Sequence, residues 1–221
     1  MILSRRLNHA QIGLSETGVA ASDYPLVFMK DVESGRFQLV ALFGLRPDAN
    51  SFVVNHQWQA TYLPLAVLGA PFHLGGPEKS LCIDESSDLV STDTGAALFS
   101  GDGNETAELS HVRSMFDYFR NDLDAANVFT AVLVNLNLVR PFSVTVEFGH
   151  GDNELIEGLY SISPPRFQTL EDPAILDLYR RNYLDKIHII INSLGQINRI
   201  QQLANLQSDR KMRLITQMDI Q

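Results

Sequence analysis

The residues of this chain best suited to chemistry are His150, Asp152 and His188. A His-x-Asp pair with a distant histidine supplies the donors of a two-histidine, one-carboxylate iron face, which leaves coordination positions open for a co-substrate and oxygen. The same run, His150-Gly151-Asp152, is also what a hairpin turn selects, because Gly and Asp suit turn backbones. His188 stands between Ile187 and Ile189 in a helical pattern, the setting of a half-buried core histidine. The turn reading is preferred, and an iron-dependent oxygenase using His150, Asp152 and His188 is carried as its rival.

Three weaker constellations follow. Cys82 beside Asp84, with His73 nearby in sequence, has the composition of a nucleophile site, but a lone thiol in an apolar strand is more often an inert core residue. Asp84, Glu85 and Asp88 are oxygen donors without the spacing of a calcium loop. GGPEK and GDGNET lack the Lys-Ser/Thr of a phosphate loop, and GHGDN lacks the strand-to-helix context of a dinucleotide site. The densest aromatic cluster, Trp58, Tyr62, Pro64, Phe72 and His73, adjoins a Gly-rich loop and is the candidate groove for a peptide or small ligand.

These side chains need a scaffold, and its clearest piece is YPLVFMKDVESGRFQLVALFGL. Two apolar, β-branched runs, 26–30 and 36–45, flank a polar loop of hairpin length. In the second run Phe37, Leu39, Ala41, Phe43 and Leu45 share one face, while Val40 and Leu42 lie on the other with Arg36 and Gln38. A strand apolar on both faces belongs inside a sheet. A second hairpin is predicted in FSVTVEFGHGDNELIEGLYSIS, where Phe142, Val144, Val146 and Phe148 alternate with polar residues and Gly158 suggests a bulge.

Helices frame the hairpins. The spacing Leu109, Val112, Phe116, Phe119, Leu123 predicts an amphipathic helix within 106–136, and its continuation NVFTAVLVNLNLV reads as a second buried helix. Asp172 followed by Pro173 is a helix start. From there Ile175, Leu178, Tyr179, Ile187, Ile190, Ile191, Leu194 and Ile197 predict one long helix, with Gly195 as its kink. A short helix and then a loop are predicted across 58–77, a short strand at 80–84, and a long polar loop over 85–104.

Composition bounds the function. With 221 residues, 45% hydrophobic, the chain can bury a large core. A formal charge of −9 disfavours a nucleic-acid or polyanionic partner, which would call for a basic face. One cysteine permits no intrachain disulfide. No apolar run reaches the roughly 18 residues of a bilayer span. A cytoplasmic location is expected.

The order of motifs resembles the SapC-like bacterial proteins. The run YPLVFMKDVESGRFQLVALFGL, then Trp58 with TYLP and APF, then SLCIDE, is similar to the family's first half. LVRPFSVTVEFGHGDNELIEGLYSIS is similar to its second hairpin, and LYRRNYLDKIHIIINSLGQINRI to its closing helix. The resemblance spans about 25–200. It implies genes near tryptophan halogenase-like enzymes, cupin-like oxygenases and TonB-dependent receptors, and a name connected with a surface-layer system; it brings no catalytic residue.

The expected fold is α+β: an antiparallel sheet from two β-hairpins plus short strands, covered by long helices. An N-terminal arm (1–23), a single domain (24–207) and a C-terminal tail (208–221) are expected. The expected function is a non-catalytic accessory or binding protein, with the Trp58–His73 groove as its contact surface. Its partner would be a neighbouring modification enzyme or a peptide substrate. No cofactor is assigned. The C-terminal helix is the candidate surface for a homo-oligomer, and a surface-layer-related structural component is a further alternative.

Overall fold

The computed structural model describes residues 7–76, 78–149 and 151–217. The chain begins with strand β1 (His9–Gln11) and a single turn of helix, α1 (Thr17–Ala20), before the first hairpin, β2 (Leu26–Lys30) and β3 (Phe37–Leu42). A small hairpin, β4 (Val53–Val54) and β5 (Gln57–Trp58), is followed by the four-residue α2 (Leu65–Leu68) and another hairpin, β6 (Phe72–Gly75) and β7 (Ser80–Ile83). Next come the long α3 (Ala107–Asn135) and the second major hairpin, β8 (Val139–Phe148) and β9 (Asn153–Ile162). Helices α4 (Pro164–Gln168), α5 (Asp172–Arg180), α6 (Leu184–Ser193) and α7 (Ile197–Gln207) lead to β10 (Met212–Gln217).

Both predicted hairpins form, and they join into one antiparallel sheet in the order β1-β3-β2-β9-β8-β10. The seam between them is the pairing of Phe28 with Tyr160. Leu39 and Val40, each 1% exposed, alternate to opposite faces and are both buried, so β3 has the two-sided burial that its sequence requires. In β8–β9 the register slips between Phe142 and Val144. The extra residue falls beside Gly158, whose φ of +83° is the left-handed conformation a bulge there demands.

The sheet's edges come from the two stretches expected to be an arm and a tail: β1 pairs with β3, and β10 with β8. Residues 1–6 and 218–221 of those stretches lie outside the described residues. The approach to β10 is fixed by Arg210, whose guanidinium lies 3.8 Å over the Phe148 ring and pairs with Asp152 at 3.3 Å. α7, the helix expected to offer a self-association face, packs against β10.

The helices differ from the sequence expectation in two places. The apolar continuation after Leu123 is not a second helix, since α3 runs unbroken for 29 residues. Thr106 caps it by accepting from the Leu109 N–H. Conversely, the stripe from Ile175 to Ile197 is not one helix. Asn182, at φ +58°, ends α5 in a left-handed cap, with its N–H donating to the Tyr179 carbonyl and the Tyr183 N–H to that of Leu178. A 3-10 turn at Leu194–Gln196 then separates α6 from α7. α3 packs along β3 and α6 across β2 and β9. A smaller core of Phe116, Phe119 and Leu123 lies under β6.

Candidate functional site

The five aromatic-cluster residues do not share one groove wall. Trp58 ends a hairpin whose turn residues Asn55 and His56 both have positive φ, the primed turn that suits strand twist. Its indole N–H donates to the Tyr24 hydroxyl at 2.7 Å, and that hydroxyl donates to the Tyr62 carbonyl. The ring packs against Phe43 and Phe52 at 5.1 and 6.2 Å between centroids. Pro64 is buried at the start of α2, Phe72 belongs to the Phe116–Phe119 core, and His73 is exposed. Trp58 and Tyr62 are therefore brought together, with their polar atoms turned inward, while Phe72 and His73 are placed elsewhere.

What binds Tyr62 is a pair of carboxylates that periodicity does not reveal. Glu16, 3% exposed, accepts from the Gly13 N–H at 2.8 Å, the Tyr62 hydroxyl at 2.8 Å and the Leu65 N–H at 3.0 Å. Burial holds its pKa above the ordinary value despite these bonds. Asp23, also 3% exposed, accepts from the Thr61 and Tyr62 N–H groups at 2.9 Å each and pairs with Arg199 at 3.2 Å. Burial likewise raises the Tyr24 and Tyr62 phenols, keeping both protonated as donors. The arrangement staples residues 59–65 to the chain before β2, and its acceptors are occupied from within.

The iron set does not assemble from what is described. His150 lies outside the described residues. Asp152 sits at the β8–β9 turn, paired with Arg210. His188 lies on α6 with its ring 5.3 Å from that of Phe167, on the helix that follows the far end of β9. The ten residues of β9 stand between them, about 33 Å of rise at ~3.3 Å per residue. Among the described residues no three His, Cys, Asp or Glu side chains are grouped to hold a metal ion. Cys82 is cross-strand from His73, and its thiol is 3.6 Å from the Ser80 carbonyl.

One concavity is not marked by residue spacing. A cleft of about 610 Å³ opens between the loop of the first hairpin, the edge of β3 and the outer face of α3. Three cations, Lys30, Arg36 and Lys79, converge on it, and among the described residues no carboxylate lines it. Side-chain amides come from Gln11, Gln38, Asn127 and Asn135, and apolar surface from Phe37, Ala131 and Val134. Lys79 is paired with Asp124 at 2.6 Å. Lys30 holds its ammonium 5.3 Å from the Phe37 ring centre and 5.5 Å from that of Tyr160, a cation–π seat without a counter-charge among the described residues.

The cleft exists because the chain abandons the edge of β3 early. After Gln11 it turns towards α3, where the Ser15 N–H and hydroxyl both donate to Asp122, and the Leu14 N–H to the Asp122 carbonyl. Gly13 permits that approach, since a Cβ there would stand 2.0 Å from Asp122 Oδ2. The lining therefore comes from four separate stretches of chain, and no local sequence signal marks it.

Among the described residues no helix is long and apolar enough to cross a membrane. The SapC family model matches residues 3–200 of the chain. No curated protein and no solved structure matches it.

Proposed function

The chain belongs to the SapC family, and from that premise we propose that it is a non-catalytic accessory protein whose ligand seat is the cleft between the first hairpin and α3. The observation that carries this reading is the convergence of Lys30, Arg36 and Lys79 on one concavity in a chain of net charge −9. Ligand seats combine apolar lining with a few placed polar groups, and this cleft has both. Its charge selects a ligand bearing carboxylates. The acidic remainder of the surface opposes such a ligand only weakly, because screening falls within about 8 Å at physiological salt.

A binding role also agrees with how the acidic and phenolic groups are used. Glu16, Asp23, Tyr24 and Tyr62 have their hydrogen bonds made by backbone and by one another, which fits structural staples. Beside a halogenase-like or cupin-like enzyme, the neighbourhood implied by the family resemblance, the seat suits that enzyme's peptide substrate. The test is a titration of ¹⁵N-labelled protein with glutarate and with N-acetylglutamate. Amide shifts confined to Phe37, Gln38 and the 127–135 turn of α3, and lost in Lys30→Ala/Arg36→Ala, are expected. Shifts elsewhere, or none, overturn the assignment.

A further inference from the structure

We propose that the cleft takes its ligand as an added strand: an extended peptide segment carrying carboxylates, hydrogen-bonded to the open backbone edge at Phe37. This rests on the cleft being the ligand seat and adds how the ligand is held. In an antiparallel ladder successive residues direct their N–H and C=O to alternate sides. The Asp31 N–H donates to the Arg36 carbonyl at 2.8 Å, so Arg36 faces β2. The Ile12 N–H donates to the Leu39 carbonyl at 3.1 Å, so Leu39 faces the opposite side, towards β1. Phe37, two residues from Leu39, faces that side too.

Among the described residues no strand meets it there. The β1 pairing runs from His9 opposite Leu42 to Gln11 opposite Val40 and then stops. In the same register Gly13 and Leu14 would have faced Gln38 and Phe37, but their N–H groups are bonded to Glu16 and to the Asp122 carbonyl. Phe37 thus offers one backbone donor and one acceptor to the cleft, at a sheet edge of the kind that extended peptides complete. Charge decides which peptide. Lys30, cross-strand from Phe37, and Arg36, next to it in the chain, form no ion pair among the described residues, and an acidic segment supplies one for each.

The added strand reads out in its amides. A residue opposite Phe37 exchanges two bonds with it, while its neighbours' N–H groups point away. The probe is acetyl-Val-Glu-Val-Glu-Val-amide titrated into the full chain, with glutarate alongside. N-methylating one alternate set of its nitrogens is expected to weaken binding at least tenfold, and methylating the other set to leave it within twofold. The lysine counterpart of the peptide is expected not to bind. If both methylated sets bind like the parent, strand addition is wrong while the cleft stands as a seat for carboxylates. If neither glutarate nor the parent peptide moves the cleft amides, the seat itself is wrong as well.

Discussion

The phenol of Tyr62 donates a 2.8 Å hydrogen bond to Oε1 of Glu16, a buried carboxylate 46 residues earlier in the chain. The bond ties the segment ahead of α2 to the turn that follows β1, and its acceptor is buried. Tyr62→Phe leaves Glu16 one donor short and is expected to cost about 1–2 kcal/mol. Urea unfolding followed by the emission of Trp58, the chain's single tryptophan, measures it. An unchanged midpoint would show that the bond carries no stability.

Glu16 also gives the fold a pH dependence of defined sign. Burial raises its folded pKa above the 4.5 of the free group, so just above pH 4.5 the folded state binds more protons than the unfolded one. Its contribution is complete below that pH and is lost as pH rises through the raised folded value. Asp102, held low first by Ser100 and then by Asn104, and Glu105, held low by Arg113, have the opposite sign. The difference between the wild type and Glu16→Gln isolates the effect: stability of the wild type relative to the variant should decline with rising pH across this window. A pH-independent difference would contradict it.

Asp23→Ala removes the acceptor of two backbone N–H groups and the partner of Arg199. Breaking a buried ion pair costs about 3–5 kcal/mol, and because Arg199 keeps 36% of its side chain exposed the lower end is expected. Arg199 is also bonded to the Gln59 carbonyl at 2.7 Å. A double-mutant cycle with Arg199→Ala should therefore return a coupling smaller than the single Asp23 loss, and equality of the two would refute the backbone role of Asp23.

Arg210→Ala removes both the stacking on Phe148 and the ion pair with Asp152. The strand that follows should open more readily. Hydrogen exchange at the amides of β10 that pair with β8 is expected to accelerate by about tenfold, for a loss of ~1–1.5 kcal/mol, with protection in β2 and β3 unchanged. Equal acceleration in all of these strands would mean that β10 opens only with the whole sheet.

The two hairpins were legible because alternation in Phe142, Val144, Val146 and Phe148, and two-sided apolarity around Val40, are direct imprints of strand geometry. The edge strands were not. β1 is three residues with Ala10 as its one apolar member, too short for any period, and it becomes a strand by pairing with β3. The division of the closing helices was partly readable, since an Asn able to adopt positive φ lies between Arg181 and Tyr183, but the apolar stripe continues across it and outweighs the cap. Of the site, the aromatic residues were visible by type. Their inward hydrogen bonding depends on Glu16 and Asp23, and the cationic cleft depends on Lys30, Lys79 and Asn127 meeting from distant stretches.

The seam at Phe28 and Tyr160 has a kinetic consequence. Each half of the sheet is a local hairpin able to close within microseconds, but the strands that join them lie roughly 130 residues apart in sequence, with α3 and two small hairpins between. Folding is then paced by the encounter of two preformed halves, and substitutions at Phe28 or Tyr160 should slow refolding more than equally destabilising ones at either hairpin's outer strand.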